Sequence, residues 1–169
     1  MRRRPPEVKR LILLAEDDEL PMEYYIRALE RRGFTVKQCF NPDEAIESAK
    51  AHGADAAAII LDIMMPHGER YGCEETHEGL RTGVLLYADL RKLLPSIPVM
   101  VLTNVKNQET FAEFPQEPLL EVVQKMDYPP AAFAALLCEV ISRAGNGASV
   151  PGKEPNPDAW SAPSGASSN

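Results

Sequence analysis

The chain has 169 residues, a formal charge of −7, 44% hydrophobic residues and 25% charged residues. This length allows one domain with a tail, and the acidic balance argues against a general nucleic-acid or membrane-surface binder, because both of those partners are polyanionic. Three widely spaced cysteines do not indicate a disulfide framework, and no apolar run approaches the roughly 18–20 residues of a membrane span. We expect a cytoplasmic protein that binds neither nucleic acid nor membrane.

The first half of the chain alternates apolar segments with helical patterns. The pattern predicts a strand, a helix, a strand and a helix, in that order, over residues 11–15, 19–32, 35–40 and 41–52. The first helix carries a buried stripe at Met22, Ile26 and Leu29. Asn41 is expected to cap the second helix, with Pro42 in its first turn.

The second half continues the same alternation. It predicts three further strand and helix pairs over residues 57–61 and 82–94, 98–103 and 107–114, and 119–123 and 129–144. Apolar strands that alternate with helices indicate an α/β fold whose parallel sheet is covered on both faces. For five such units we predict the doubly wound, flavodoxin-like strand order 2-1-3-4-5, with a ligand site beyond the carboxyl ends of strands 1 and 3.

Polar residues stand where these predicted strands end. The first strand runs into Glu16, Asp17 and Asp18 and the third into Asp62, while Thr103 ends the fourth and Lys125 follows the fifth. Clustered carboxylates repel one another unless a cation joins them, and Mg²⁺ binds one or two carboxylates, waters and a phosphoryl oxygen. An aspartate that faces Mg²⁺, an ammonium and a hydroxyl is suited to accept a phosphoryl group.

These motifs resemble those of response-regulator receiver domains of two-component signalling. The similarity covers about residues 9–144 and rests on the first strand with its acids, the segment around Asp62, the segment around Thr103 and the late lysine, at residues 11–18, 61–66, 101–104 and 125. Each motif alone is common, but four of them in this order at strand ends indicate the family.

The resemblance implies a Mg²⁺ site and a phosphoacceptor. Asp62 would accept the phosphoryl group and bind the metal, Asp17 would bind the metal directly and Glu16 through water, and the carbonyl of Met64 would be a further ligand. Asp18 is an alternative member of the acidic pair.

The resemblance also assigns the phosphoryl contacts and the partners. Thr103 would donate to the acyl phosphate and Lys125 would pair with it. The donor would be a histidine kinase or a phosphotransfer protein, and the output would be contacts with a downstream protein. The chain would then be a stand-alone switch that promotes its own phosphorylation and dephosphorylation without being a conventional enzyme. The sequence leaves open whether the chain forms a homodimer.

Three departures from the family pattern stand near these residues. Met126 follows Lys125 where the family has proline, and Val122 stands where the family often has an aromatic residue. The loop of residues 67–81 is unusually long, and the pattern resumes at Gly83 or at Gly79. The departures favour an alternative function, a pseudo-receiver that acts as an interaction scaffold without phosphorylation.

Further hypotheses concern the long loop and the two ends of the chain. Cys73, His77 and His67 offer at most three zinc ligands, so we favour a solvated loop, and its Tyr71 with Arg70 and Arg81 is a candidate partner contact. Residues 1–8 form a basic arm, and residues 145–169 are rich in Gly, Pro and Ser. Because such a composition buries little apolar surface, we predict a domain over residues 9–144 and a disordered tail after it.

Overall fold

A computed structural model describes residues 10–145. The predicted basic arm of residues 1–8 and, apart from Gly145, the predicted tail of residues 145–169 lie outside the described residues. The strands are β1 to β5 at Leu11–Ala15, Thr35–Cys39, Ala56–Leu61, Val99–Thr103 and Leu120–Gln124. The helices are α1 to α5 at Glu19–Glu30, Pro42–His52, Thr82–Leu93, Gln108–Ala112 and Pro130–Gly145. No helix in this part of the chain has the length and apolar character needed to cross a membrane.

The five strands form one parallel sheet in the order β2-β1-β3-β4-β5. Every residue of β3 and β4 is buried, which explains their continuous apolar sequences. Alternate residues point to opposite faces, so Ile59 lies in the core beneath α2 and α3 while Ile60 lies in the core beneath α1 and α5. The predicted α/β fold and strand order are confirmed.

The ends of the helices follow local capping chemistry. The side chain of Asn41 accepts a hydrogen bond from the Glu44 amide at 2.9 Å, and the Glu44 carboxylate accepts one from the Phe40 amide at 2.9 Å. This reciprocal arrangement starts α2 where the sequence predicts it. In α1, Met22 and Leu29 are buried as predicted, whereas Ile26 is only partly buried and Tyr25 is the third buried residue.

The element α4 is shorter than predicted. A helix over residues 107–114 was expected, but regular helix covers only Gln108–Ala112. The Asn107 side chain accepts a hydrogen bond from the Glu109 amide at 2.9 Å and starts the helix. Phe114 turns inward instead and packs edge-on against Tyr87, with ring centroids 5.4 Å apart. The polypeptide then reaches β5 without further helix.

Residues 67–81, which we call the insert, are mostly exposed, as expected for a solvated loop, but a few side chains anchor them to the domain. Tyr71 donates to Asp89 of α3 at 2.9 Å, Arg70 pairs with the same carboxylate, and Thr76 is fully buried. Arg81 forms an ion pair with Glu113, just past α4. The three side chains that we considered for a partner contact are therefore engaged within the chain.

Candidate functional site

Lys125 brings the carboxyl ends of three strands together. Its ammonium nitrogen lies 2.5 Å from Oε2 of Glu16, which follows β1, and 2.9 Å from Oδ2 of Asp62, which follows β3. The Lys125 amide donates to the Thr103 carbonyl at 2.9 Å, which continues the β4–β5 ladder by one residue. The predicted residues at the ends of β1, β3, β4 and β5 are thus neighbours in space.

The cluster is nearly closed to solvent. Glu16 is 2% exposed and Asp62 is 7% exposed. Burial, followed by the charge of Asp62, raises the pKa of Glu16 to about 7 although Lys125 opposes the shift. Burial lowers the pKa of Lys125, but the charge of Asp62 and the hydrogen bonds to both carboxylates outweigh it and raise the pKa. One ammonium therefore compensates these carboxylates only in part.

Local backbone contacts orient Asp62. Its Oδ1 accepts hydrogen bonds from the amides of Ile63 at 2.6 Å and Met64 at 3.4 Å, while Oδ2 faces Lys125. The first turn of α3 packs directly on this segment, because a Cβ on Gly83 would lie 2.1 Å from the Asp62 carbonyl oxygen. Gly83 also donates to the Ile63 carbonyl at 2.9 Å. Glycine is needed at Gly83 because of this close approach.

The C-terminal part of the insert returns to the segment that follows β3. Gly79 has a φ of 92°, a conformation that glycine adopts readily, and its carbonyl accepts from the Met65 amide at 3.2 Å. A Cβ at Gly79 would lie 2.8 Å from the Met65 carbonyl oxygen. The insert therefore begins after Pro66 and closes at Gly79 on the segment that follows β3, while Gly83 provides the contact with Asp62.

The remaining predicted residues surround the cluster. Thr103 is fully buried, and its hydroxyl oxygen accepts a hydrogen bond from the Val105 amide at 3.2 Å, so the hydroxyl hydrogen is available to another acceptor. Asp17 follows Glu16 and is exposed overall. Its carboxylate is nevertheless partly desolvated, and this desolvation, followed by the charge of Asp62, raises the pKa of Asp17. Met64 is 44% exposed.

The donor chemistry of the cluster fits Mg²⁺. Glu16 and Asp62 supply hard oxygen ligands, and the raised pKa of Glu16 reflects negative charge that a divalent cation would compensate. Within residues 10–145 no group of three or more His, Cys, Asp or Glu side chains is arranged to hold a metal ion. Mg²⁺ needs only one or two carboxylates from the protein because it retains several waters. A zinc site in the insert would need more protein ligands.

Tyr25 is a residue of this region that the sequence analysis did not single out. Its hydroxyl lies 3.2 Å from the Lys125 carbonyl oxygen and 3.0 Å from the Tyr128 carbonyl oxygen. Met126 is 73% exposed and turns away from the cluster. Helical spacing between Met22 and Leu29 allows either Tyr25 or Ile26 on the buried face, and only the fold shows that Tyr25 is buried and which loop it reaches.

A groove of about 970 Å³ runs along β5 beside the short α4. Its apolar walls include Phe111, Phe114, Leu120, Val122, Val123 and Tyr128. Val122, which replaces the usual aromatic residue, is partly buried in this wall. The side chains of Lys106, Glu121 and Asp127 also line the groove and add polar groups to it.

Residues 12–129 match the family described as response regulator receiver domain. The chain belongs to this family. Receiver domains are phosphoacceptor modules of two-component signalling rather than conventional enzymes, and they generally bind Mg²⁺. The resemblance inferred from the motifs is confirmed over most of the predicted domain.

Among curated proteins, this receiver domain is similar to the sensor kinase CckA of Brucella abortus (strain 2308). The two are 27% identical over 93 residues, which are 55% of this chain and only 8% of that protein. The receiver domain thus corresponds to a small part of CckA.

Solved structures, two of them described as receiver proteins, share the fold. A CheY-like receiver domain protein from Methanospirillum hungatei JF-1 is 15% identical, with a TM-score of 0.65 over 83% of this chain and 100% of that chain. A receiver protein from Sinorhizobium medicae WSM419 is 19% identical, with a TM-score of 0.61 over 79% of this chain and 95% of that chain. NtrX from Brucella abortus is 19% identical, with a TM-score of 0.61 over 81% of this chain but 28% of that chain.

Proposed function

We propose that this receiver domain is a signalling switch in which Asp62 accepts a phosphoryl group from a histidine kinase or a phosphotransfer protein. The observation that carries the proposal is the contact of Asp62 with Lys125 at the end of β3. A carboxylate oxygen of Asp62 would attack the phosphorus of a phosphohistidine. The new phosphorus–oxygen bond replaces the phosphorus–nitrogen bond, and the imidazole leaves with the electron pair and takes up a proton.

Lys125 and Thr103 are proposed to hold the transferred group. Lys125 already contacts the acceptor carboxylate, so its ammonium is positioned to pair with a phosphoryl oxygen after transfer. The Thr103 hydroxyl accepts from Val105 and keeps its own hydrogen for a phosphoryl oxygen. These donors stabilise the charge of the phosphoryl group without forming the covalent bond.

We assign the Mg²⁺ site to Glu16, Asp17, Asp62 and the Met64 carbonyl. Bound Mg²⁺ would neutralise phosphoryl oxygens during transfer. The two amide hydrogen bonds to Oδ1 of Asp62 fix the carboxylate, which keeps its other oxygen directed at Lys125. Glu16 accepts from the Asp18 amide at 3.1 Å, and this contact holds the turn after β1.

The proposed output is a protein contact made at the groove along β5. Phosphorylation would draw Lys125 towards the phosphoryl group, and Lys125 directly continues the strand that forms one wall of the groove.

The net charge of −7 disfavours nucleic acid and membrane as partners. We place the switch in the cytoplasm because Cys39, Cys73 and Cys138 are free thiols, as is usual in a reducing compartment.

The alternative is a pseudo-receiver that serves as a scaffold without phosphorylation. The substitutions at Val122 and Met126 favour it, whereas the position of Lys125 against Asp62 favours the switch. Melting the protein with Mg²⁺ and beryllofluoride, a mimic of the phosphoryl group, separates the two. The switch predicts a higher melting temperature than with Mg²⁺ alone, and the scaffold predicts the same melting temperature.

A further inference from the structure

The loop between β5 and α5, residues 125–129, carries Lys125 into the site. The main chain of Lys125 is held on both sides, because its amide donates to the Thr103 carbonyl and its carbonyl accepts from the Tyr25 hydroxyl. The same hydroxyl lies 3.0 Å from the Tyr128 carbonyl oxygen. A hydroxyl has one hydrogen, so Tyr25 shares it between the first and the fourth residue of this loop.

Tyr25 is itself rigidly placed. It is 9% exposed, and its ring packs edge-on against Phe133 of α5, with centroids 5.5 Å apart and planes at 78°. Burial raises the pKa of the Tyr25 hydroxyl above its ordinary value. The group therefore stays protonated, and remains a hydrogen-bond donor, throughout the neutral range.

The rest of the loop offers little other side-chain support. Within residues 10–145, Tyr25 is the one residue whose side chain hydrogen-bonds to the main chain of residues 125–128. Met126 is 73% exposed, and the further support is a main-chain turn in which the Asp127 amide donates to the Gln124 carbonyl at 3.1 Å. In the described part of the chain, the Tyr25 hydroxyl thus adds the side-chain support of this loop's main chain to the Lys125 amide bond with Thr103 and the contacts of the Lys125 ammonium with Glu16 and Asp62.

We propose that Tyr25 is a positioning residue for Lys125, which it aims at the group bound on Asp62. The inference rests on the proposed function, since it concerns how the lysine meets a phosphoryl group. In the described structure the Tyr25 hydroxyl hydrogen-bonds to carbonyls of the loop and not to Glu16 or Asp62, so it acts through the loop backbone. It also connects the site to α1 and α5, which pack on each other through Tyr25 and Phe133.

The test is Tyr25→Phe, which keeps the ring and removes the hydroxyl. Tyr24→Phe is the matched control, because Tyr24 is the adjacent tyrosine and is 66% exposed. In Tyr25→Phe we expect the affinity for beryllofluoride to fall about three- to tenfold, the range of one net hydrogen bond, with Mg²⁺ affinity unchanged. In the metal-free protein, hydrogen exchange at the Asp127 amide should become faster. Tyr24→Phe should match the wild type in all three measurements.

A double-mutant cycle separates positioning from general stabilisation. If Tyr25 acts through the lysine, Tyr25→Phe should slow labelling by acetyl phosphate in the wild-type background and have little further effect in a Lys125→Ala background. Equal effects in both backgrounds would contradict the positioning role.

The outcomes distinguish this inference from the proposed function. Beryllofluoride binding by the wild type, together with an unchanged affinity in Tyr25→Phe, overturns the positioning role and leaves the switch intact. A parallel loss of Mg²⁺ and beryllofluoride affinity also overturns it, because that result indicates a general disturbance of the site. A wild type that binds no beryllofluoride in the presence of Mg²⁺ overturns the proposed function and this inference with it.

Discussion

Lys125 contacts two buried carboxylates, one 109 and the other 63 residues earlier in the chain. At the scale of single residues, the site therefore depends on how accurately the backbone delivers a few side chains. Hydrogen bonds to Thr103 and from Tyr25 position Lys125. The packing of Gly83 on the Asp62 carbonyl positions Asp62. Each of these contacts involves main-chain atoms, which cannot move aside as a flexible side chain can.

Gly83→Ala tests the close approach beneath Asp62. The added methyl group would meet the Asp62 carbonyl oxygen at 2.1 Å and the Ile63 Cα at 2.7 Å, so α3 must shift. We expect a loss of about 1–3 kcal/mol in the free energy of unfolding, measured by urea denaturation. Gly72→Ala is the control, since its nearest contact would be 3.8 Å and its expected change is within about 0.5 kcal/mol. Equal stabilities of the two variants would contradict this description of the packing.

At the scale of elements, the insert is anchored on two helices and on the residue that follows a third. Glu69 donates its amide to Asp43 of α2 at 2.7 Å, Tyr71 reaches Asp89 of α3, and Arg81 pairs with Glu113 after α4. The insert also begins only a few residues after Asp62. We propose that the surface held by these contacts shapes access to Asp62.

Replacing residues 67–78 with a three-residue Gly-Ser-Gly linker tests the role of the insert. The fold should persist, because the Met65 amide and Gly79 carbonyl hold the two ends 3.2 Å apart. We expect the rate of labelling by acetyl phosphate to change, because the insert shapes access to Asp62. Circular dichroism checks the fold and intact mass follows the labelling. An unchanged rate in a folded variant would contradict a role for the insert in access to Asp62.

The strands and long helices could be predicted because their apolar residues follow periods that burial imposes. The ends of α4 and the packing of the insert could not, because short irregular segments carry no such period and depend on partners such as Glu113 and Asp89. The predicted strand order was sufficient to place Glu16, Asp62, Thr103 and Lys125 at the same edge of the sheet. The side-chain contacts, and the part played by Tyr25, required the packed structure.

At the scale of the whole molecule, one sheet connects the site to the groove. Lys125 follows β5, and Val122 and Val123 of that strand line the groove. If Lys125 moves when a phosphoryl mimic binds, the disturbance should reach this wall. We expect beryllofluoride with Mg²⁺ to shift the amide resonances of Val122 and Phe111 more than that of Val36 on the edge strand β2. Shifts confined to the residues around Asp62 would contradict an output through the groove.

The proposed domain boundary can be tested on the full chain and a truncation. Residues 145–169 contain few apolar groups, so we propose that they add little to the folding of residues 9–144. Truncation after Ala144 should leave the melting temperature nearly unchanged. A fall of several degrees, measured by calorimetry, would show that the removed segment stabilises the domain.

The central claim is that Asp62 accepts a phosphoryl group, and intact-mass measurement after incubation with acetyl phosphate and Mg²⁺ tests it most directly. The account predicts one added phosphoryl group on the wild type and on Asp55→Asn, a control at an exposed aspartate. It predicts none on Asp62→Asn, since an amide cannot form the acyl phosphate, while removal of one charge from the carboxylate cluster leaves the fold intact. Full labelling of Asp62→Asn, or no labelling of the wild type, would contradict the account.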